Sequence, residues 1–396
     1  MPAFRLHRIS DPTVLKSVAP PRLLRFLTLF RAYLESRGFH WPQPDASTID
    51  YDKLSTILLS PDDSLPSEMV RALMLVDEMS IDDRMDQLLA ACATERVVLD
   101  LGSECTSADV AIQTWFQEPE ILERQHAGAH ALRQRNFHYF AGRRGRARRS
   151  LQLSKETLQH LTGDLDDGFE AHKRGREAHV MIFDHGRRVW IVVRRGATFK
   201  QEGSTKNRTS SLQFYRPEIY DVLFYDTESD LLAIHADAKW LRDLYRRCIG
   251  AYVFGDPNHF PPGEWLVLDP LVRDGPACCN CGDIDGIEEV KLIDVQRHWF
   301  NQLHEIDVKK ADDVFEALGD RWSRFMRGGR LTKAVFKVWF EDAEKPRLVT
   351  LRPANIAKYD QQTDSAPIEQ WLSKRGFVKG PPGKAHQVGA AVLENA

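Results

Sequence analysis

Long uncharged apolar runs are missing from this chain of 396 residues. Its most apolar helix-length stretch, Leu23 to Leu34, is interrupted by Arg25 and Arg31. A bilayer span needs roughly 18 uncharged apolar residues, so no membrane partner is expected. The opening residues Met1 to Arg5 lack the apolar core of an export signal. Cysteine is scarce: six residues are too few for a disulfide framework in a chain of this length. Reduced thiols and a cytoplasmic location are therefore the expectation. No GxxxxGK[ST], GxSxG, HExxH or GxGxxG occurs. Their absence argues against P-loop nucleotide hydrolysis, the serine-hydrolase elbow, the zinc-protease helix and the dinucleotide fingerprint.

What is present is the composition of a folded protein, 42% hydrophobic and 28% charged. Nine tryptophans and 20 phenylalanines can fill substantial cores. The length favours two or three domains.

Helical spacing dominates the first part. Leu23, Phe26, Leu27, Phe30 and Leu34 form a stripe between Pro20 and Gly38. Similar spacing predicts helices over Ser67 to Ala93, with a break near Ser80, over Pro119 to Phe140, and over Ser154 to His172 with Ser154 as N-cap. The period then changes. His179 to Phe183 and Arg188 to Arg195 read as a hairpin, as do Asp221 to Tyr225 and Leu231 to His235. A helix is expected over Ala238 to Val253. Strands are expected at Glu264 to Leu268, Glu288 to Ile293, Ala334 to Phe340 and Leu348 to Leu351. Short helices fit Ala311 to Leu318 and Pro367 to Lys374, and the loops around Ser204 to Ser211 and Asp274 to Gly286 read as irregular.

The fold class is α+β: a helical N-terminal half, then a strand-rich, mostly antiparallel C-terminal domain with a few helices. The expected divisions are a helical domain at 1–142, a basic connector and helix at 143–175, the strand-rich domain at 176–378 and a flexible tail at 379–396.

Charge is unevenly spread. Residues 143–208 hold 16 Lys/Arg against 8 Asp/Glu, although the whole chain is −3. The block opens with Arg143, Arg144, Arg146, Arg148 and Arg149 and continues through Arg187, Arg188, Arg194, Arg195, Lys206 and Arg208. Guanidinium and ammonium groups are phosphate donors, and Trp190, Phe199 and Phe214 are aromatic platforms on which a base could stack. These residues are the candidate nucleic-acid or phosphate surface. The competing reading is that the arginines are solvated or pair with the chain's own acids.

Three smaller constellations bear on chemistry. Glu289-Val290-Lys291 matches the ExK half of a Mg²⁺-dependent nuclease site, with Asp269, Asp283 or Asp285 as an upstream acid. Acid–Lys pairs at that spacing also occur at Asp237/Lys239 and Asp307/Lys309, which dilutes the signal. Cys278, Cys279 and Cys281 contain one CxxC pair, half of a structural zinc site. Glu123, His126 and His130 share one side of a helix at ExxHxxxH spacing. The last two read more simply as reduced thiols and as polar residues bordering a core, so no resident cofactor or metal is expected outside the Mg²⁺ alternative.

Tyr215-Arg216-Pro217-Glu218, Tyr220 to Asp226, Leu232 to His235, Leu244 to Arg247 and Phe254-Gly255-Asp256 form one series of motifs. Leu351 to Asn355 and Trp371 to Phe377 complete it. The series resembles long bacterial proteins labelled hypothetical, for which no activity is established. The resemblance implies a bacterial cytosolic origin and no particular chemistry.

The leading expectation is a non-enzymatic binding or regulatory protein with a basic surface for nucleic acid or another phosphate-bearing partner. The alternatives are a metal-dependent nuclease or hydrolase using Asp269, Glu289 and Lys291, and a protein-assembly module, including a homo-oligomer, with internally paired arginines.

Overall fold

The apolar stripes of the N-terminal part form the helices they predict, but in shorter pieces. The structure, a computed structural model, describes residues 5–42, 49–102, 105–143, 151, 153–206, 208–353 and 355–379. The chain divides into two compact units, Met1–His130 with Glu202–Gln213, and Ala131–Gln201 with Phe214–Ala396.

The first unit carries α1 (Pro12–Ser17), α2 (Pro20–Thr28), α3 (Arg31–Ser36), α4 (Tyr51–Leu59), α5 (Ser67–Met79), α6 (Asp82–Thr94), α7 (Ser107–Gln117) and most of α8 (Pro119–Leu132). Pro20 and Pro21 open α2, where a missing N–H costs nothing. Leu23, Phe26, Leu27, Leu34, Leu73, Val76 and Ile112 belong to one core. That core is anchored by a buried carboxylate. Asp77 accepts the backbone N–H groups of His7 (3.0 Å), Arg8 (2.6 Å) and Ile9 (2.8 Å), fixing the segment that leads into α1.

The second unit begins with β1 (Asn136–Ala141), followed by α9 (Lys155–Ala171), β2 (His179–His185) and β3 (Arg188–Gly196). Next in the chain come the hairpin strands β4 (Lys200–Lys206) and β5 (Thr209–Tyr215), of which Glu202–Gln213 groups with the first unit; β6 (Glu218–Asp226), β7 (Leu231–His235) and α10 (Lys239–Phe254) follow in the second. The remainder is α11 (Asp269–Arg273), β8 (Ile287–His298), β9 (Ile306–Lys310), α12 (Val314–Leu318), α13 (Arg321–Phe325), β10 (Arg330–Phe340), β11 (Arg347–Arg352), β12 (Ile356–Lys358) and α14 (Ser365–Lys374). Among the described residues, ten strands form one sheet in the order β2-β3-β6-β7-β1-β12-β11-β10-β8-β9, and β4 pairs with β5 in a separate two-stranded sheet. Every ladder in the large sheet is antiparallel. The α+β class read from the sequence holds.

One face of this sheet is largely apolar from β2 to β8. Phe137 and Tyr139 of β1 share it with Ala357, Leu351, Phe336 and Leu292. Trp371 of α14 and Phe377 pack edge-on against Phe336, with ring centroids 5.0 and 5.5 Å away. On the opposite face, Ile191, Leu223 and Ile234 are covered by α9 and α10 through Leu161, Leu165, Leu244 and Ile249. Along β8 to β12 the same face mixes lysines, Arg352 and Thr350 with Val335, Leu348 and Ile356.

Several expectations are corrected. The helix foreseen over Pro119 to Phe140 ends at Leu132, and Asn136–Ala141 is a strand. Phe137 and Tyr139 alternate with His138 and Phe140, a period of two that two flanking strands reward with hydrogen bonds. The helical domain therefore ends near 130 instead of 142. The loop foreseen near Ser204 to Ser211 belongs to the β4–β5 hairpin. Glu264 to Leu268 is no strand; its one bridge joins Leu266 to Val378. The tail foreseen at 379–396 lies outside the described residues except for Lys379.

Replacing Asp77 with alanine strands three backbone donors at the start of the first unit. The expected loss is at least about 4 kcal/mol, since three hydrogen bonds to a charged acceptor go and each is worth roughly 1.5–3 kcal/mol. Urea denaturation of the full chain measures it.

Candidate functional site

The hairpin arginines are held by the chain's own acids. Arg195 is 3% exposed and ion-pairs with Asp221, itself 2% exposed. The Tyr245 hydroxyl donates to the same carboxylate at 2.6 Å and so ties α10 to β6. Arg188 is 9% exposed and ion-pairs with Glu369 of α14. Its guanidinium also donates to the Gln361 side chain at 3.2 Å and lies 4.7 Å from the Phe224 ring centroid. Tyr359 donates to Glu369 at 3.1 Å, and Tyr139 meets Tyr359 at 3.2 Å. Burial outweighs Arg188 and Arg187 and holds the Glu369 carboxyl above the ordinary range.

Arg187 is partly exposed but contacts Asp226 (2.8 Å), Glu228 (3.3 Å) and Glu369 (3.4 Å). Arg194 faces Glu218 at 3.8 Å. These four side chains are thus neutralised within the fold, and Arg188 and Arg195 are closed to a phosphate. Trp190 is buried as well, while Phe199 and Phe214 are exposed. Arg208 lies exposed in the β4–β5 turn, Lys206 closes β4, and Arg216 covers Phe199 at 4.1 Å.

The arginine run leaves the sheet at a tight point. Gly142 donates to the Asp230 carbonyl at 2.7 Å, and the Arg143 N–H to the His259 carbonyl at 2.7 Å. A Cβ at Gly142 would collide with the Asp230 carboxylate, which His259 and Tyr225 hold at 2.9 and 3.1 Å. Arg144, Arg146, Arg148 and Arg149 lie outside the described residues.

The nuclease alternative is only partly assembled. Glu289 and Lys291 share a face of β8 and pair at 3.0 Å. Glu289 lines a groove with Cys279, Cys281, Glu288 and Asp313, whereas Asp269 lines a separate cavity with Glu264, Arg297 and Arg330. Among the described residues, no three His, Cys, Asp or Glu side chains converge as metal ligands. Cys278 and Cys281 are buried, and desolvation contributes to raising both thiols, that of Cys278 through Cys279 first. In α8, Glu123 pairs with Arg71 at 2.7 Å and His126 with Glu78 at 3.2 Å, both on α5.

One basic array joins residues that are scattered along the sequence. Beyond β1, side chains alternating with the core residues Val290, Leu292, Phe336, Val338, Val349 and Leu351 point to the uncovered face. Lys291 stands opposite Lys337, Lys337 opposite Leu348, Thr350 opposite Lys358, and Arg352 opposite Ile356. Lys333 and Lys310 reach the same face and hold Asp294 at 2.8 and 3.6 Å. Arg352 and Lys358 are exposed. Among the described residues, Lys337, Arg352 and Lys358 have no carboxylate within ion-pair distance. Trp339 lies in this array, its ring centroid 5.1 Å from the Lys337 ammonium and 5.3 Å from that of Lys291. The signal was available: Lys333, Lys337 and Trp339 occupy polar-side positions of a strand whose alternate residues are apolar. Clustering across strands needed the register.

No protein-family model matches the chain, and a search of the curated proteins returned no match.

Two outcomes follow from the site's electrostatics. Glu369→Gln leaves Arg188 buried without its partner and should cost roughly 3 kcal/mol, whereas Arg188→Met with Glu369→Leu should recover most of it. Chemical denaturation of both variants tests this. His138, on β1 at the border of the open face, is pulled from 6.5 to about 4 by burial, with Arg242 and His235 adding to it. Its neutral form is the folded form. The contribution is therefore complete above pH 6.5 and is lost as pH falls through about 4. His138→Gln should flatten that part of the acid-stability curve, measured by urea titration across this window.

Proposed function

We propose that the protein is a non-enzymatic bacterial cytoplasmic binding protein whose open sheet face takes a phosphate-bearing polymer, nucleic acid first. The observation that carries this reading is the trio Lys337, Arg352 and Lys358, which among the described residues have no carboxylate within ion-pair distance, beside Trp339 on the sheet face opposite Phe336 and Leu351. Rigid strands hold the three cations within roughly 15 Å of one another, given about 4.8 Å between neighbouring strands. A flat, basic surface with one aromatic ring suits the backbone of an extended polyanion and offers a platform for a base. Lys291, Lys310 and Lys333 add to its field, with Glu289, Asp294, Asp313 and Glu316 among the opposing charges. The hairpin arginines contribute structure to this reading instead of contact, because their partners are internal.

The test is a charge reversal of Lys337, Arg352 and Lys358 to glutamate, with binding to a labelled single-stranded oligonucleotide read by fluorescence anisotropy. The wild type should bind, and more weakly as salt rises. The triple variant should lose at least about 100-fold in affinity, and the log–log salt slope should fall by about 2. Absence of wild-type binding at low salt, or an unaffected triple variant, defeats the reading.

A further inference from the structure

The free edge of the ten-stranded sheet at β9 carries unusual exposed apolar surface for so short a segment. Phe300 (65%), Leu303 (87%), Ile306 (47%) and Val308 (46%) are all exposed within nine residues. The opposite edge differs: Val180, Met181 and Phe183 of β2 are buried. From the strand chemistry we infer that β9 pairs antiparallel with β9 of a second copy of this chain, giving a twofold dimer. This inference is independent of the polyanion reading.

Backbone phase makes the edge available. Trp299 N–H donates to the Glu305 carbonyl at 3.0 Å, and Ala311 N–H to the Ile293 carbonyl at 3.2 Å. Odd-numbered residues of β9 therefore turn their amides toward β8. Ile306, Val308 and Lys310 turn theirs outward, because hydrogen-bonded and non-bonded pairs alternate along an antiparallel ladder.

The sequence Ile306-Asp307-Val308-Lys309-Lys310 is complementary to itself in that register. A twofold axis through Val308 sets Val308 against the partner's Val308 and Ile306 against the partner's Lys310, using all the outward amides. Roughly six backbone hydrogen bonds result. Asp307 then falls opposite the partner's Lys309, in the close, non-hydrogen-bonded positions where opposite charges favour pairing. Lysines on an edge strand ordinarily discourage arbitrary strand addition; here the matching strand is the one that supplies Asp307. The axis of an antiparallel pair runs perpendicular to the sheet. Both copies would therefore present their lysine-bearing faces on the same side, as one continuous surface.

Sedimentation velocity of the full chain between about 1 and 100 µM, with Val308→Pro and Lys309→Glu beside it, tests the inference. Proline at 308 removes only an outward N–H and spares the β8–β9 ladder. The wild type should show a concentration-dependent dimer. Val308→Pro should raise its dissociation constant at least about tenfold, from two lost hydrogen bonds across the pair. Lys309→Glu, which opposes two acids, should weaken the dimer in the same direction. Circular dichroism checks that each variant is folded. A wild type monomeric throughout overturns the proposal. So does a folded Val308→Pro variant that dimerises like wild type; should that variant misfold, an unweakened Lys309→Glu dimer overturns it equally.

Discussion

The buried pairing of Arg188 with Glu369 is the contact on which the C-terminal unit turns. The large sheet is continuous only because β1 links β7 to β12, and the β1–β12 ladder runs over just three residue pairs. So short a join is reinforced by side chains. From Arg188 on β3, polar contacts run through Glu369 on α14 to Tyr359, then to Tyr139 on β1 and Gln361. Each buried polar atom along this path has a partner from another element, so breaking one contact exposes the next to an unmet demand. Ion pairing of this kind specifies an arrangement more than it adds net stability, because desolvation opposes the attraction.

That constraint bears directly on function. A basic block read along the chain invites a phosphate surface, yet a side chain on a strand goes where the pleat and its neighbours send it. Arg188 and Arg195 point into covered faces and meet Glu369 and Asp221. Lys337, Arg352 and Lys358 are scattered in sequence, but the register gathers them on a face that α9 and α10 do not reach. The polyanion reading and the β9 edge pairing both rest on what the sheet leaves uncovered, one on its face and one on its rim.

Much of the secondary structure was legible because local periodicity carries it. The breaks at Ser80, the Ser154 cap, both hairpins around β2–β3 and β6–β7, and α10 all appear where spacing and turn residues placed them. The failures share a cause. Residues Asn136–Ala141 could continue a helical stripe or alternate as a strand, and only pairing with β7 and β12 selects the strand. The β4–β5 strands have few apolar residues, so no periodic signal marked them. Of the candidate site, Glu289 and Lys291 share one face because they stand two positions apart on one strand.

By itself the sequence determined the class of the protein: an α+β chain, helical first and then strand-rich, with its positive charge concentrated downstream of residue 142. Those are properties of local spacing and composition, which neighbouring residues settle. Tertiary structure alone decided which charges remain free. Whether Arg195 meets Asp221 and Lys337 meets solvent depends on strand order, register and helical cover. These are long-range pairings between residues tens to hundreds of positions apart, and nothing in local periodicity encodes them.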